Sequence, residues 1–327
     1  MPRRAAAARG GAARDLLPSE QGAGRRLRRG GTRHAAAAAT ERACRQQHVP
    51  SPREGRGVKL EIQHSTRYHY TGPIAETVME VRLQPMDGNG QRCTDFKLEV
   101  SHAVKPRTYI DGFGNHVHYF NLVRPHAGLS VISRSTVETG LDPDDDEGEE
   151  LVQDFLRFRS PVKDVEGVRE LALRYRVSDP TSPAAVEQAL DDLTVSISRD
   201  FTYDRTVTNV YSAVDDVLNL RAGVCQDFAH LFLAVARDMG VPARYVSGYI
   251  HSPGEKAATA SHAWAEAWVA GRGWIGFDAT HPVRTTPHHV RLAVGRDYTD
   301  AAPTRGVYVG SATGTMSISV KTRDVSG

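Results

Sequence analysis

Apolar and polar residues begin to alternate abruptly at Val58. Leu60, Ile62, His64, Thr66, Tyr68 and Tyr70 fall on one face of a period-two run, the signature of a half-buried strand. Similar runs follow at 78–83, 96–104, 116–123 and 129–137, divided by Asp87-Gly88-Asn89-Gly90 and Asp111-Gly112-Phe113-Gly114-Asn115. Short strands separated by Gly, Asn and Asp turns predict an antiparallel β-sandwich-like domain over 58–139. An acidic run over 140–150 follows, which repels itself and reads as a solvated linker. Beyond Leu151 the period turns helical. Stretches at 165–175, 183–198, 213–220 and 225–239 carry apolar residues three and four apart, Pro183 suits a first helical turn, and Gly240-Val241-Pro242 stops the last helix. Strand-like runs then appear at 243–251, 262–269 and 274–278, with weaker ones at 290–294 and 315–320. Helices followed by strands, without βαβ alternation, predict an α+β domain over 151–327.

Composition narrows the class. The 327 residues are 40% hydrophobic and 24% charged, the proportions of a soluble globular protein. No stretch approaches the roughly 18 consecutive apolar residues of a spanning helix, so no membrane partner is expected. Cys44, Cys93 and Cys225 are an odd set without CxxC spacing. That excludes a disulfide scaffold and a cysteine-only zinc site, and leaves room for one reactive thiol. The net charge of +2 conceals an asymmetry: 13 arginines against four acidic residues give residues 1–57 a charge of +9 and leave the remainder at −7. This Ala/Arg/Gly head holds too few large apolar residues to build a core. Its charge alone would suit a phosphate-binding arm, but the expectation is blander: a disordered tail or a mis-annotated start with Val58 as the true initiator, and no nucleic-acid partner. Ala35–Ala39 is too short and too weak for the apolar region of a signal peptide, so the cytoplasm is the expected compartment.

Three segments concentrate chemistry: Arg221-Ala222-Gly223-Val224-Cys225-Gln226-Asp227-Phe228-Ala229-His230, Ala260-Ser261-His262-Ala263-Trp264-Ala265-Glu266-Ala267-Trp268 and Gly273-Trp274-Ile275-Gly276-Phe277-Asp278-Ala279-Thr280. The first sets a cysteine at the start of an apolar-periodic helix, where unpaired N–H groups and the helix dipole favour the thiolate. A neighbouring imidazole would stabilise that thiolate and protonate a leaving amine, and a carboxylate behind the ring would hold its tautomer. His262 and Asp278 lie on two runs joined by Ala270-Gly271-Arg272-Gly273, a hairpin connection. Whether they share a face depends on register, which one residue of slip reverses. Taken singly, Cys225 reads as readily as a small buried hydrophobe, His262 as a core histidine and Asp278 as a turn former.

The three blocks in this order resemble the signature segments of the bacterial transglutaminase-like superfamily. The region from Val58 to about Thr139 resembles the N-terminal domain that accompanies it, and Val294-Gly295-Arg296-Asp297-Tyr298 with Ala302-Pro303-Thr304-Arg305-Gly306-Val307 resembles its downstream segment. The resemblance implies a papain-like, transglutaminase-core α+β fold with Cys225 as nucleophile, His262 as general acid/base and Asp278 as orienter. It implies acyl transfer at amide bonds of a protein or peptide substrate, through a thioester. Water would resolve that thioester in a cysteine peptidase or amidase, the preferred reading, and a lysine amine would do so in a transglutaminase. A non-catalytic scaffold is the alternative of another class, and retention of all three residues argues against it. The third block commonly ends Asp-Pro-Thr-Asn, whereas this chain has Asp278-Ala279-Thr280-His281, a departure bearing on loop shape and substrate preference. Calcium is not carried over, since no Asp/Asn loop has EF-hand spacing; no cofactor and no metal are expected.

Around the triad, the Cys225 backbone N–H plus one upstream side chain should bind the oxyanion, with Tyr211 and Tyr203 as candidates. Trp264 is the tryptophan expected to line the cleft, while Trp268 and Trp274 read as core. His230 reads as a hydrogen-bonded core residue and Asp227 as a first-turn carboxylate. His116 and His118 read as an exposed strand face rather than a metal pair.

Overall fold

The computed structural model describes residues 13–15, 57–142, 149–252 and 261–326. Most of the head and of the acidic linker, with the readings made of them, lie outside the described residues. The N-terminal region contributes β1 (Ala13–Asp15), β2 (Val58–Ile74), β3 (Glu76–Val81), β4 (Gln91–Val100), β5 (Arg107–Ile110), β6 (His116–Leu122) and β7 (His126–Thr139). A 3-10 turn at Glu149–Leu156 leads to α1 (Glu166–Tyr175), α2 (Pro183–Asp200), α3 (Val214–Leu220) and α4 (Cys225–Asp238). Two short strands, β8 (Thr202–Tyr203) and β9 (Ala222–Gly223), pair in parallel between them. Then come β10 (Ala243–Ile250), β11 (His262–Val269), β12 (Gly273–Asp278), β13 (Val283–Arg284), β14 (His289–Gly295), α5 (Tyr298–Ala301), β15 (Thr304–Val309) and β16 (Gly314–Asp324).

The β region is two antiparallel sheets, ordered β1-β15-β3-β6-β5 and β16-β2-β7-β4. This corrects the division of the chain at 151. The last two strands belong to the N-terminal sheets, β15 pairing with β3 and β16 with β2 from Gly314↔Tyr70 to Asp324↔Leu60. The polar-apolar alternation of β16 could be read as a strand but not assigned a partner. The predicted inward face of β2 is buried throughout, His64 and Thr66 included. His118 corrects the reading of an exposed strand face: it is buried, with its ring 5.1 Å from Phe96.

Alpha-4 is the centre of the second core. Its residues from Gln226 to Arg237 are all buried, as expected of a helix apolar on more than one face. It ends where Gly240 takes φ +81, letting the Val241 N–H reach back to the Ala236 carbonyl at 2.9 Å. The helix lies on the five-stranded sheet β13-β12-β11-β10-β14. Ala263, Ala265 and Ala267 of β11 form the surface beneath it, and their small side chains let helix and sheet approach closely. His262, Trp264 and Glu266 alternate to the opposite face.

That opposite face is where the two regions meet. Strand β14 is an edge, and the N-terminal region closes it with side-chain amides acting as a surrogate strand. Gln91 accepts from the Arg291 N–H (2.8 Å) and donates to its carbonyl (3.0 Å). Asn115 does the same for Val294, at 2.7 and 2.8 Å. Left open, this edge would be a template for non-native pairing.

His64 and His230 sit one in each core, and burial pushes both imidazoles down from 6.5 to about 4. His64 contacts the Tyr249 hydroxyl and the Thr66 hydroxyl, both at 2.9 Å. His230 Nε2 accepts the Tyr298 N–H at 3.1 Å. A depressed folded value means the unfolded chain binds the proton first, so stability present above 6.5 is lost as pH falls toward about 4. Each ring contributes about 3 kcal/mol to that loss. Urea unfolding of the wild type and His64→Gln across this window should show their stability difference narrow by about that amount; a constant difference would mean that His64 titrates alike in both states.

Candidate active site

Cys225 is the first residue of α4, half-buried, at a helix start whose geometry is fixed by Asp227. The Asp227 carboxylate accepts the Val224 N–H at 2.8 Å and the Thr208 hydroxyl at 2.6 Å. Gly223 is required here, since a Cβ would lie 2.7 Å from Asp227 Oδ2. Burial raises the Asp227 carboxyl above its ordinary value, and the bonds from Thr208 and Val224 offset part of that rise. Its duty is to shape the first turn, as its position suggested.

His262 opens β11 and Asp278 closes β12. The ladder runs without a register shift from Val269↔Gly273 to Ala265↔Phe277. Continued by one residue, it sets Asp278 opposite Trp264, on the same face as His262 and two positions along. This is the register that sequence left open. His262 Nε2–H donates to Asp278 Oδ2 at 2.7 Å, which leaves Nδ1 as the nitrogen available to Cys225, whose thiol acts on the same ring. Burial alone would lower the His262 imidazole. The charge and hydrogen bond of Asp278, with the Cys225 contact, outweigh it and hold the ring well above 6.5.

Asp278 is fully buried and accepts five N–H groups. Thr280 and His281 backbone amides reach Oδ1 at 2.9 and 3.3 Å. Oδ2 receives His262, His281 Nδ1 at 2.9 Å and His289 Nε2 at 3.4 Å. Burial would raise this carboxyl, but the three histidines hold it well below 3.8. Sequence reasoning noticed His281 only as a departure in the third block and did not single out His289. His281, three residues beyond Asp278, was within reach of a local argument; His289 arrives from β14 and had no sequence signal.

The other residues distribute as follows. Trp264 is buried beside the triad, its ring 6.1 Å from His262 and 5.3 Å from His289. Tyr203 packs edge-on against Phe228 at 6.2 Å with Arg205 over its face. Tyr211 is 60% exposed, on the segment whose Val210 carbonyl accepts from Gln226 Nε2 at 3.2 Å. Trp268 and Trp274 pack together at 5.5 Å, with Arg244 4.1 Å over Trp274. Beyond Trp264 the same face carries Glu266, bound by Arg244 at 2.6 Å and approached by Arg291 at 3.7 Å. Trp264, Glu266, His289 and Arg291 line a cavity of about 220 Å³ between the two regions, with Gly90, Gln91 and Thr139 on its far wall.

Among the described residues, His262, Asp278 and His281 bring ligand-type atoms within 4.8 Å of one another. The two imidazole nitrogens already touch one carboxylate oxygen at 2.7 and 2.9 Å. An ion with bonds of about 2.0–2.2 Å would have to force itself between them. We therefore describe the cluster as a hydrogen-bond hub.

Fold and site together define an α+β protein that aligns a helix-borne thiol with an imidazole and carboxylate on the facing sheet. Residues 172–279 match the transglutaminase-like superfamily, and residues 60–138 match the bacterial transglutaminase-like N-terminal region. An uncharacterized protein of Mycobacterium leprae is 35% identical over 271 residues, covering 77% of this chain and 94% of the relative. A protein-glutamine gamma-glutamyltransferase of Pseudomonas aeruginosa is 36% identical over 78 residues, 21% of this chain and 12% of that one. A crystal structure from Cytophaga hutchinsonii, described as a candidate cysteine protease, superposes with TM-score 0.67 at 24% identity, covering 83% of this chain and 92% of that one. The chain belongs to the transglutaminase-like superfamily and carries its bacterial N-terminal region.

Proposed function

We propose that the protein cleaves amide bonds of a protein or peptide substrate by thiol catalysis, with Cys225 as nucleophile, His262 as general acid/base and Asp278 as orienter. The observation that carries the reading is His262, fixed through Nε2 by Asp278 at 2.7 Å while the Cys225 thiol acts on the same ring from the start of α4. With the proton on His262, Cys225 Sγ attacks the amide carbonyl carbon and its oxygen becomes an oxyanion. The Cys225 backbone N–H at the helix start is the donor best placed by chain position to receive it. Collapse breaks the C–N bond while His262 gives its proton to the departing amine, leaving a thioester on Cys225. His262 then takes a proton from water, whose oxygen attacks the thioester; the C–S bond breaks, releasing a carboxylic acid and restoring the Cys225 thiolate beside protonated His262. Asp278 keeps the ring in the Nε2–H tautomer throughout.

Water is favoured as acceptor because it is everywhere, whereas transfer to an amine needs a second site that excludes it. The local likeness to the Pseudomonas glutamyltransferase supports the second reading, in which a lysine amine resolves the same thioester. One experiment separates them: mass spectrometry of a protein mixture incubated with the full chain and a labelled primary amine, with Cys225→Ala in parallel. New peptide termini or unlabelled deamidation that vanish in the variant are the expected result. Amine label on glutamines would establish the transferase instead, and activity surviving in Cys225→Ala would refute the nucleophile.

A further inference from the structure

The Asp278 carboxylate is shared more widely than an orienter's task requires. A side-chain carboxylate that only fixes the tautomer of one imidazole needs one acceptor position. Here a single oxygen, Oδ2, takes three imidazole N–H groups, from His262, His281 and His289. The hydrogens can be assigned from the partners. His289 Nδ1 accepts the Thr286 N–H at 3.1 Å, so its own hydrogen is on Nε2 and points at Asp278. His281 Nδ1 must donate, because a carboxylate only accepts, and its buried Nε2 has no partner. Both rings are almost fully buried, at 7% and 6% exposure, so neither donor is replaced by solvent.

We infer that His281 and His289 are positioning residues that act through Asp278, holding its carboxylate in line with His262 and limiting how strongly it retains the proton on that ring. The inference rests on the proposed thiol chemistry for its effect on turnover, but the shared carboxylate stands on geometry alone. Each added N–H withdraws charge from Oδ2, so the His262 imidazolium sees a weaker acceptor than a carboxylate committed to it alone. Removing one donor returns that charge to His262 and makes its proton harder to lose. The other groups facing the pair are Cys225 from α4 and, farther along the sheet face, Glu266 of β11 between Arg244 of β10 and Arg291 of β14. None of these is altered when position 281 changes.

The test uses the full chain with His281→Ala, His281→Asn and His289→Ala. For each, the pH profile of peptide cleavage is measured together with the rate of iodoacetamide alkylation of Cys225, which reports the thiol–imidazole pair without requiring a substrate. His281→Ala should move the alkaline limb of both profiles upward by about half to one pH unit, and lower kcat about 10- to 100-fold with KM little changed. His281→Asn, whose amide can donate to Asp278, should return the limb toward wild type, and His289→Ala should shift it in the same direction as His281→Ala. An unmoved limb in both alanine variants overturns the inference even if cleavage slows, because loose packing alone would not change proton affinity. A shifted alkylation limb in a protein that cleaves nothing would retain the inference and reject the proposed activity. Nitrogen-15 NMR of the wild-type histidines gives a reading free of folding effects: Nε2–H at His289 and Nδ1–H at His281 are expected, and the opposite tautomer at either position overturns its assignment.

Discussion

Cys225→Ala should lower amide cleavage by a factor on the order of 10⁴ or more while leaving stability nearly unchanged. The two halves of this expectation come from different features. The rate falls because in the proposed mechanism the acyl intermediate forms on the Cys225 sulfur, and residues of a catalytic unit lose most of their effect together. Stability holds because Cys225 is half-buried at the start of α4 and alanine suits a helix. The first turn itself is fixed by Asp227, Val224 and Thr208, none of which touches the change. Single-turnover cleavage and urea unfolding on one preparation test both halves. Retained cleavage would transfer the chemistry to another group, and a large loss of stability would mean the sulfur is a packing atom.

Asp278→Ala should differ on both counts. It leaves three imidazole and two backbone N–H groups without their acceptor in a fully buried site. Breaking a buried charge network in this way costs about 3–5 kcal/mol, and loss of the tautomer-fixing carboxylate costs about 10⁴-fold in rate. Its pH dependence follows from two opposed shifts. His262 is held above 6.5, so its share of stability is complete below 6.5 and disappears as pH rises through the raised value. Asp278 is held below 3.8, so its share is complete above 3.8 and disappears as pH falls through the lowered value. The stability difference between wild type and Asp278→Ala should therefore be widest between about pH 4 and 6.5 and shrink on either side. Chemical unfolding at a series of pH values measures it, and a gap that stays flat into alkaline conditions would remove His262 from the account.

Much of this was legible beforehand where the signal is local. The helices at 166–175, 183–200, 214–220 and 225–238 fall within two residues of their apolar periods, and the strands at 243–250 and 262–269 likewise. Cys225, His262 and Asp278 could be singled out only together, because three blocks in order carry a signal that each block alone does not. What could not be read are relations between distant strands. The partner of β16 lies some 250 residues away, the His289 contact crosses from β14, and the exact edge cover of Gln91 and Asn115 depends on how two regions pack. Periodicity reports which face is buried, never against what. The packing of Tyr203 against Phe228 was illegible for the same reason, since an aromatic residue near a nucleophile in sequence can as easily face the core as the cleft.

The return of the last strands to the first sheets also sets an order of events during synthesis. Strand β2 lies between β7 and β16. Its pairing with β7 can close once residue 139 has left the ribosome, but its other edge waits for residues 314–324. Throughout translation of the whole α+β core, the nascent chain carries the open edge of β2 from Leu60 to Tyr70. Such an edge is an aggregation template that closes only late and at the cost of a very long loop. A chaperone that shields β2 from chain emergence to release would thus raise the yield of this protein more than one acting on the finished chain.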